Sequence, residues 1–155
     1  MGPPGESGGA LGAYFGIHPR ATKAFQFQDA QTKTLSYLVK TRYPAESIYL
    51  FYDENLKRKG WKRMEWEFQG KMDTWESSIG KLAADQPVQC VFKFYTAWAN
   101  EKKDRMTVLN LGFYNPPVDN HCPDYPIYDE VTVTLQELPY PQAPLPFPAK
   151  GKGPK

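Results

Sequence analysis

No run of about 18 apolar residues occurs in this chain, so nothing in it reads as a membrane-spanning helix. Residues 1–12 hold no basic region followed by an apolar stretch, so no secretory signal is expected there as written. Charge of one sign is also missing. With 19 basic against 17 acidic residues the formal net charge is +2, too balanced to draw a polyanion through composition alone, and no nucleic-acid partner is expected. Histidine is scarce: His18, beside Pro19, and His121 are the two examples. Neither stands beside a Ser or Cys in a recognisable nucleophile setting, which argues against a histidine-activated hydrolase. Cysteine is as rare. Cys90 and Cys122 exclude a disulfide-dense scaffold and leave either one bridge or two free thiols. The Asn-x-Ser/Thr sequon is absent, and no internal repeat is found.

What is present is aromatic. Phe, Trp and Tyr make up 15% of the 155 residues, so much of the buried area must come from large rings, which favours a sheet-rich core. The clearest single element spans Pro44 to Lys59. Pro44 suits a first helical turn, where an amide proton would be orphaned anyway, and Glu46 sits where the helix dipole favours a carboxylate. Ile48, Phe51, Tyr52 and Leu56 recur at helical spacing and make one apolar stripe. Lys57, Arg58 and Lys59 load the last turn with positive charge, Gly60 can take the left-handed conformation that stops a helix, and Trp61 falls where it can pack back on Leu56.

Strand patterns surround this helix. Phe25 and Phe27 begin an alternation, Asp29 to Lys33 can turn, and Thr34 to Tyr43 alternates with Leu35, Tyr37 and Val39 on one face. Met64, Trp66 and Phe68 alternate with Arg63, Glu65 and Glu67. Val88 to Trp98 and Arg105 to Tyr114 form a hairpin across the polar link Asn100 to Asp104, and Val131, Val133 and Leu135 mark a last strand. Between Gly70 and Pro87 the periodicity is poor; Trp75 to Leu82 is a candidate short helix, against which Gly80 stands. Asn115 to Glu130, rich in Pro, Asp and Asn, reads as a long loop. The expected fold is α+β, an antiparallel sheet of five or six strands with one amphipathic helix packed on one face. Residues 1–20 read as a flexible N-terminal arm, 21–138 as a single domain, and 139–155, with six prolines, as a proline-rich tail that serves as a spacer.

Few residues carry chemistry. The run Asp119 to Asp124 gathers His121 and Cys122 with Asp119 and Asp124, an imidazole, a thiolate and carboxylates that could contact zinc or copper. Zinc sites usually draw on two separated ligand pairs, and no second pair occurs, so a polar loop is the simpler reading and no metal or cofactor is expected. Cys90, on an apolar strand face, is either a small buried hydrophobe or the partner of Cys122, which in an oxidising compartment would pin the long loop to the sheet. Glu65 and Glu67 share a strand face and could act as an acid and base pair, but alternation beside Arg63 already explains them as a solvated ladder. Basic and aromatic residues interleave at Lys57 to Trp66 and at Phe92 to Trp98, a mixture that some single-strand binders use; no RNP1-like glycine pattern accompanies them. Pro141-Gln142-Ala143-Pro144 satisfies a minimal PxxP spacing, which chance supplies in any proline-rich tail.

The stretch Tyr43-Pro44-Ala45-Glu46-Ser47-Ile48-Tyr49-Leu50-Phe51-Tyr52, followed by Leu56 and Gly60-Trp61, resembles a pattern in small, uncharacterised bacterial envelope proteins, many of them lipoproteins. In those, a strand leads into a proline-started helix carrying Phe-Tyr, then Leu, then Gly-Trp. The resemblance implies an extracytoplasmic, non-enzymatic module that binds a protein partner or small ligand, and it brings no catalytic residues. This sequence departs from the pattern in having no lipobox cysteine, so a membrane association would need an anchor that these residues do not carry. The alternative expectation is a metal-binding protein or enzyme using the Asp119 to Asp124 loop.

Overall fold

A computed structural model of the chain describes residues 9–41, 44–65, 72–81, 84–115, 117, 119, 121–122 and 130–140. Among these residues two helices, α1 (Gly9–Phe15) and α2 (Pro44–Arg58), accompany seven strands: β1 (Thr22–Gln28), β2 (Lys33–Lys40), β3 (Lys62–Arg63), β4 (Glu76–Lys81), β5 (Val88–Ala99), β6 (Arg105–Asn115) and β7 (Glu130–Pro139). The strands form one antiparallel sheet in the order β1-β2-β7-β6-β5-β3, with β4 also paired to β5. β3 holds the Trp98 end of β5 and β4 the Val88 end, so the two share one edge in succession. No helix among the described residues is long and apolar enough to cross a membrane.

Register explains where the core sits. Directly paired residues share a face, and the pairs Leu35 with Leu135, Leu135 with Leu109, Tyr37 with Val133, and Val133 with Leu111 run hydrophobic side chains across β2, β7 and β6. Leu111 continues to Phe94, and Phe113 to Phe92. All of these are buried in one core together with Ile48, Tyr52 and Leu56 from the apolar stripe of α2. The end of α2 follows from its last residues. Gly60 adopts φ +87° and donates to the Lys57 carbonyl at 3.0 Å, and Trp61 donates to the Leu56 carbonyl at 3.0 Å, the paired bonds of a left-handed helix stop. Trp61 then packs against the core.

Several expectations need correcting. The sheet has seven strands rather than five or six, because an unexpected β4 is added. Trp75 to Leu82 is not a short helix: Glu76–Lys81 pairs with β5, edge backbone groups outweighing a segment with no periodicity of its own. The N-terminal arm expected through residue 20 is instead structured from Gly9. Leu11 and Phe15 of α1 are buried in the main core, and the Leu11 amide donates to Gln26 Oε1 at 2.8 Å. At the other end β7 runs through Pro139, which pairs with Arg105, and the Tyr140 amide donates to the Asp104 carbonyl. The expected strand at Met64, Trp66 and Phe68 shortens to Lys62–Arg63 where it is described; Trp66, Glu67 and Phe68, most of the 115–130 loop, and residues 141–155 lie outside the described residues.

Candidate functional site

The charged groups beneath the helices are bonded to protein, whereas the buried hydroxyls of Thr96 and Thr107 have no hydrogen-bond partner. Glu137, 3% exposed, accepts from the Tyr14 hydroxyl and from Arg105 Nε at 3.0 Å, with Lys33 Nζ 3.6 Å away. Burial, then the bond to Glu137, pushes the Tyr14 phenol up to about 12. Lys59 donates to the Tyr14 carbonyl at 2.6 Å, so this cluster clamps α1 to β7 and to the end of α2. Under α2, Trp98 Nε1 donates to Asp53 at 2.8 Å and Lys57 pairs with the same carboxylate at 2.9 Å. Burial raises the Asp53 carboxyl, but the Trp98 and Lys57 bonds outweigh it and leave the group below the usual carboxylate range. Arg63 reaches the Tyr49 hydroxyl and Asp73, and Tyr49 stacks on Trp98 with ring centroids 6.0 Å apart. Tyr52 donates to the Gly16 carbonyl at 2.8 Å, so Tyr37, whose hydroxyl lies 2.6 Å away, supplies the proton between the two phenols. Burial pushes both phenols up, that of Tyr37 to about 12. These groups bond inward, which makes them parts of the scaffold.

The residues singled out for chemistry are dispersed by the same fold. Cys90 and Cys122 are joined in a disulfide, Cα atoms 5.5 Å apart, so Cys122 has no thiolate to offer a metal. His121 and Asp119 are placed on that pinned segment, and Asp124 lies outside the described residues. Among the described residues no three His, Cys, Asp or Glu side chains gather at metal-holding distance. His18 follows α1. Its Nδ1 accepts from the Arg20 amide at 3.1 Å, and burial with nearby Arg20 lowers its pKa. The basic and aromatic clusters are split: Lys57, Arg58, Lys59 and Arg63 bond to protein groups, while Phe92, Phe94 and Trp98 are buried.

The face of the sheet turned away from α2 is different. Towards one end, Tyr95, Ala97, Ala99, Met106 and Val108 form a second, smaller apolar cluster beneath Met64 and Met72. A hollow of about 360 Å³ beside it is bounded by Lys62 to Glu65, Asn100, Lys103 and Tyr140. Towards the other end the face is polar and open. Register sets Leu38, Thr132, Gly112 and Lys93 in one row, and Ser36, Thr134, Asn110 and Tyr95 in the next. A shallow depression of about 260 Å³ lies here, lined by Lys93, Asn110, Gly112, Tyr114, Thr132 and Thr134, with the backbone of Leu111 in its floor. Gly112 makes the depression possible. Without a side chain it leaves the floor low, and a Cβ built there would stand 3.7 Å from the Tyr114 hydroxyl oxygen. Thr134 bonds to Ser36 at 3.1 Å, but the side chains of Lys93, Asn110, Tyr114 and Thr132 have no protein partner.

No family, curated protein or solved structure matches this chain. The candidate site therefore rests on its own geometry. It combines an ammonium, a carboxamide, hydroxyls and one ring at the rim, with no nucleophile and base in contact, an arrangement that can hold a small polar molecule by hydrogen bonds. Of its residues only Lys93 belongs to a stretch singled out from the sequence, the basic and aromatic run Phe92 to Trp98, and there for a different ligand. Asn110, Gly112, Thr132 and Thr134 are the polar half of an alternating pattern, and the only signal was a glycine inside a strand, which often marks close approach by a ligand or another backbone.

Proposed function

We propose that this protein is a non-enzymatic binding module of the cell envelope that holds a small ligand on the open face of its sheet, around Gly112. The observation that carries the reading is the set of unpartnered side chains, Lys93, Asn110, Tyr114 and Thr132, converging on one depression, while the charged groups under the helices, Asp53 and Glu137, are bonded to protein. The Cys90 to Cys122 disulfide supports an extracytoplasmic setting, because such bonds persist where the surroundings are oxidising. The Pro44 to Trp61 pattern shared with small envelope proteins points the same way.

The test is a nuclear magnetic resonance screen of a fragment mixture against the labelled, oxidised protein. Binding fragments should perturb the amides of Asn110, Gly112, Tyr114 and Thr132, and Gly112→Val, which fills the depression, should abolish those shifts. Perturbations that map elsewhere, or that survive Gly112→Val, would remove the open face as the binding surface. Location is checked separately by trapping thiols with an alkylating reagent at lysis. Free Cys90 and Cys122 in the native cell would contradict an oxidising compartment.

A further inference from the structure

We infer that the depression over Gly112 takes a monosaccharide-sized hydroxylated carboxylate, of the uronic-acid type, with its carboxylate at Lys93. The inference rests on the open face being the binding surface and adds the chemistry of what binds there. Size comes first. About 260 Å³ is below the roughly 300–1,000 Å³ of sites that hold drug-sized molecules, and suits a single sugar-sized ring.

The lining then selects the chemistry. Lys93 is the one charged residue in the lining, and it makes no ion pair; Glu76 faces it in register on β4 but lies outside the lining and forms no salt bridge with it. A lone ammonium complements one carboxylate, whereas a phosphate dianion would call for a second cation or a forked arginine. Beside Lys93 stand an amide and two hydroxyls without partners, on Asn110, Thr132 and Tyr114, which offer donors and acceptors together. Ligand hydroxyls, each both donor and acceptor, match that mixture better than groups that only donate or only accept. Apolar side chains are nearly absent from the lining. Leu111 contributes only backbone, because its own side chain is buried at 1% exposure in the core on the opposite face. An apolar ligand would gain little here. The one ring is Tyr114, 38% exposed at the rim, where it can cover the C–H face of a sugar while its hydroxyl stays over Gly112.

Three probes separate the parts of this claim: glucuronate carries hydroxyls and a carboxylate, glucose the hydroxyls alone, and acetate the carboxylate alone. Titrated into the ¹⁵N-labelled full chain, glucuronate should shift the amides of Lys93, Asn110, Gly112, Tyr114 and Thr132 in a saturable way. Glucose and acetate should bind more weakly. Lys93→Met should weaken glucuronate by roughly threefold to tenfold, the range for a charged hydrogen bond discounted for exposure, and leave glucose unchanged. Thr132→Val should weaken glucuronate and glucose alike. Equal binding of glucose and glucuronate, or no Lys93 effect, would overturn the carboxylate. No saturable shift with glucuronate would overturn the ligand class. If fragments from the mixture still perturb the open face in that case, the binding surface stands and only its chemistry is wrong.

Discussion

Neighbouring residues on β6 live in two different environments. Leu109, Leu111 and Phe113 point into the core beneath the helices, at 0%, 1% and 2% exposure, while Asn110, Gly112 and Tyr114 alternate with them on the open face. The covered face is closed to water, although the Thr96 and Thr107 hydroxyls are buried in it without a hydrogen-bond partner. Its hydrocarbon is buried, and the carboxylates set into it, Asp53 and Glu137, have cationic or indole partners. The open face keeps hydrogen-bonding groups unpaired and in contact with water. One strand thus serves both as wall of the core and as floor of a site, and the two duties need not interfere. Changes on the covered face should act on folding, and changes on the open face on binding.

The sharpest way to break this comparison is Leu111→Ala. Truncating a fully buried leucine removes its transfer free energy and leaves a cavity, so a loss of about 2–5 kcal/mol is expected in denaturant unfolding. A loss below about 1 kcal/mol would mean the covered face is not the core. Next comes the disulfide. It closes a separation of 32 residues and ties the segment bearing His121 to β5, so Cys90→Ala with Cys122→Ala should cost about 3–4 kcal/mol relative to the oxidised protein. The unfolding slope should rise slightly as well, since the unlinked denatured chain exposes more surface. If the double variant matches the oxidised protein in midpoint, the bridge is not a stabilising one.

The two faces were not equally legible in the sequence. The covered face could be read because burial imposes a period: Leu35, Tyr37 and Val39, Phe92 and Phe94, Val131, Val133 and Leu135 repeat every second residue, and α2 carries its stripe, its basic last turn and its stop at Gly60. The long-range partners could not be read, since register depends on which apolar rows meet. β4 shows this clearly. Glu76–Lys81 has almost no apolar residue, and what makes it a strand is the exposed edge of β5, a property of another segment. In α1, Gly9 and Gly12 are poor helix formers and the seven-residue segment is too short to hold by propensity alone, so its stability comes from Leu11, Phe15 and the Tyr14 bond to Glu137. The open-face site left no period of its own, because unpaired Asn and Thr look the same in a sequence as ordinary solvated residues.

Two smaller effects sharpen the account of α2. Gly60→Val places a β-branched residue at φ +87°, where the left-handed cap strongly favours glycine, and should cost about 1 kcal/mol or more by thermal unfolding. An unchanged melting temperature would show that the helix stops without that conformation. Asp53→Asn keeps an acceptor for the Trp98 indole and loses only the charge, so its cost near neutral pH should be below about 1 kcal/mol. The sign with pH follows from the depressed carboxyl. Its contribution is present above the ordinary carboxylate value and is lost as pH falls through the lower folded one, so wild type and Asp53→Asn should converge in stability below about pH 4. A gap that widened in acid would place the main effect on another group.

The smallest expected effect is the one that decides whether the faces are truly independent. Asn110→Ala lies one residue from Leu111 on the same strand, yet its side chain has no partner to lose and no cavity to leave. Backbone pairing with Thr134 and Tyr95 does not depend on it. Alanine is a poorer strand former than β-branched residues but little different from asparagine in that respect, so stability should stay within about 0.5 kcal/mol of wild type. Binding is where the substitution should register. Removing the carboxamide takes away a donor and an acceptor at the depression, and any ligand held there should weaken while the unfolding curve stays in place. A destabilisation of 2 kcal/mol or so would instead show that Asn110 supports the sheet, and the separation between a structural face and a binding face would fail at the residue where it is easiest to see.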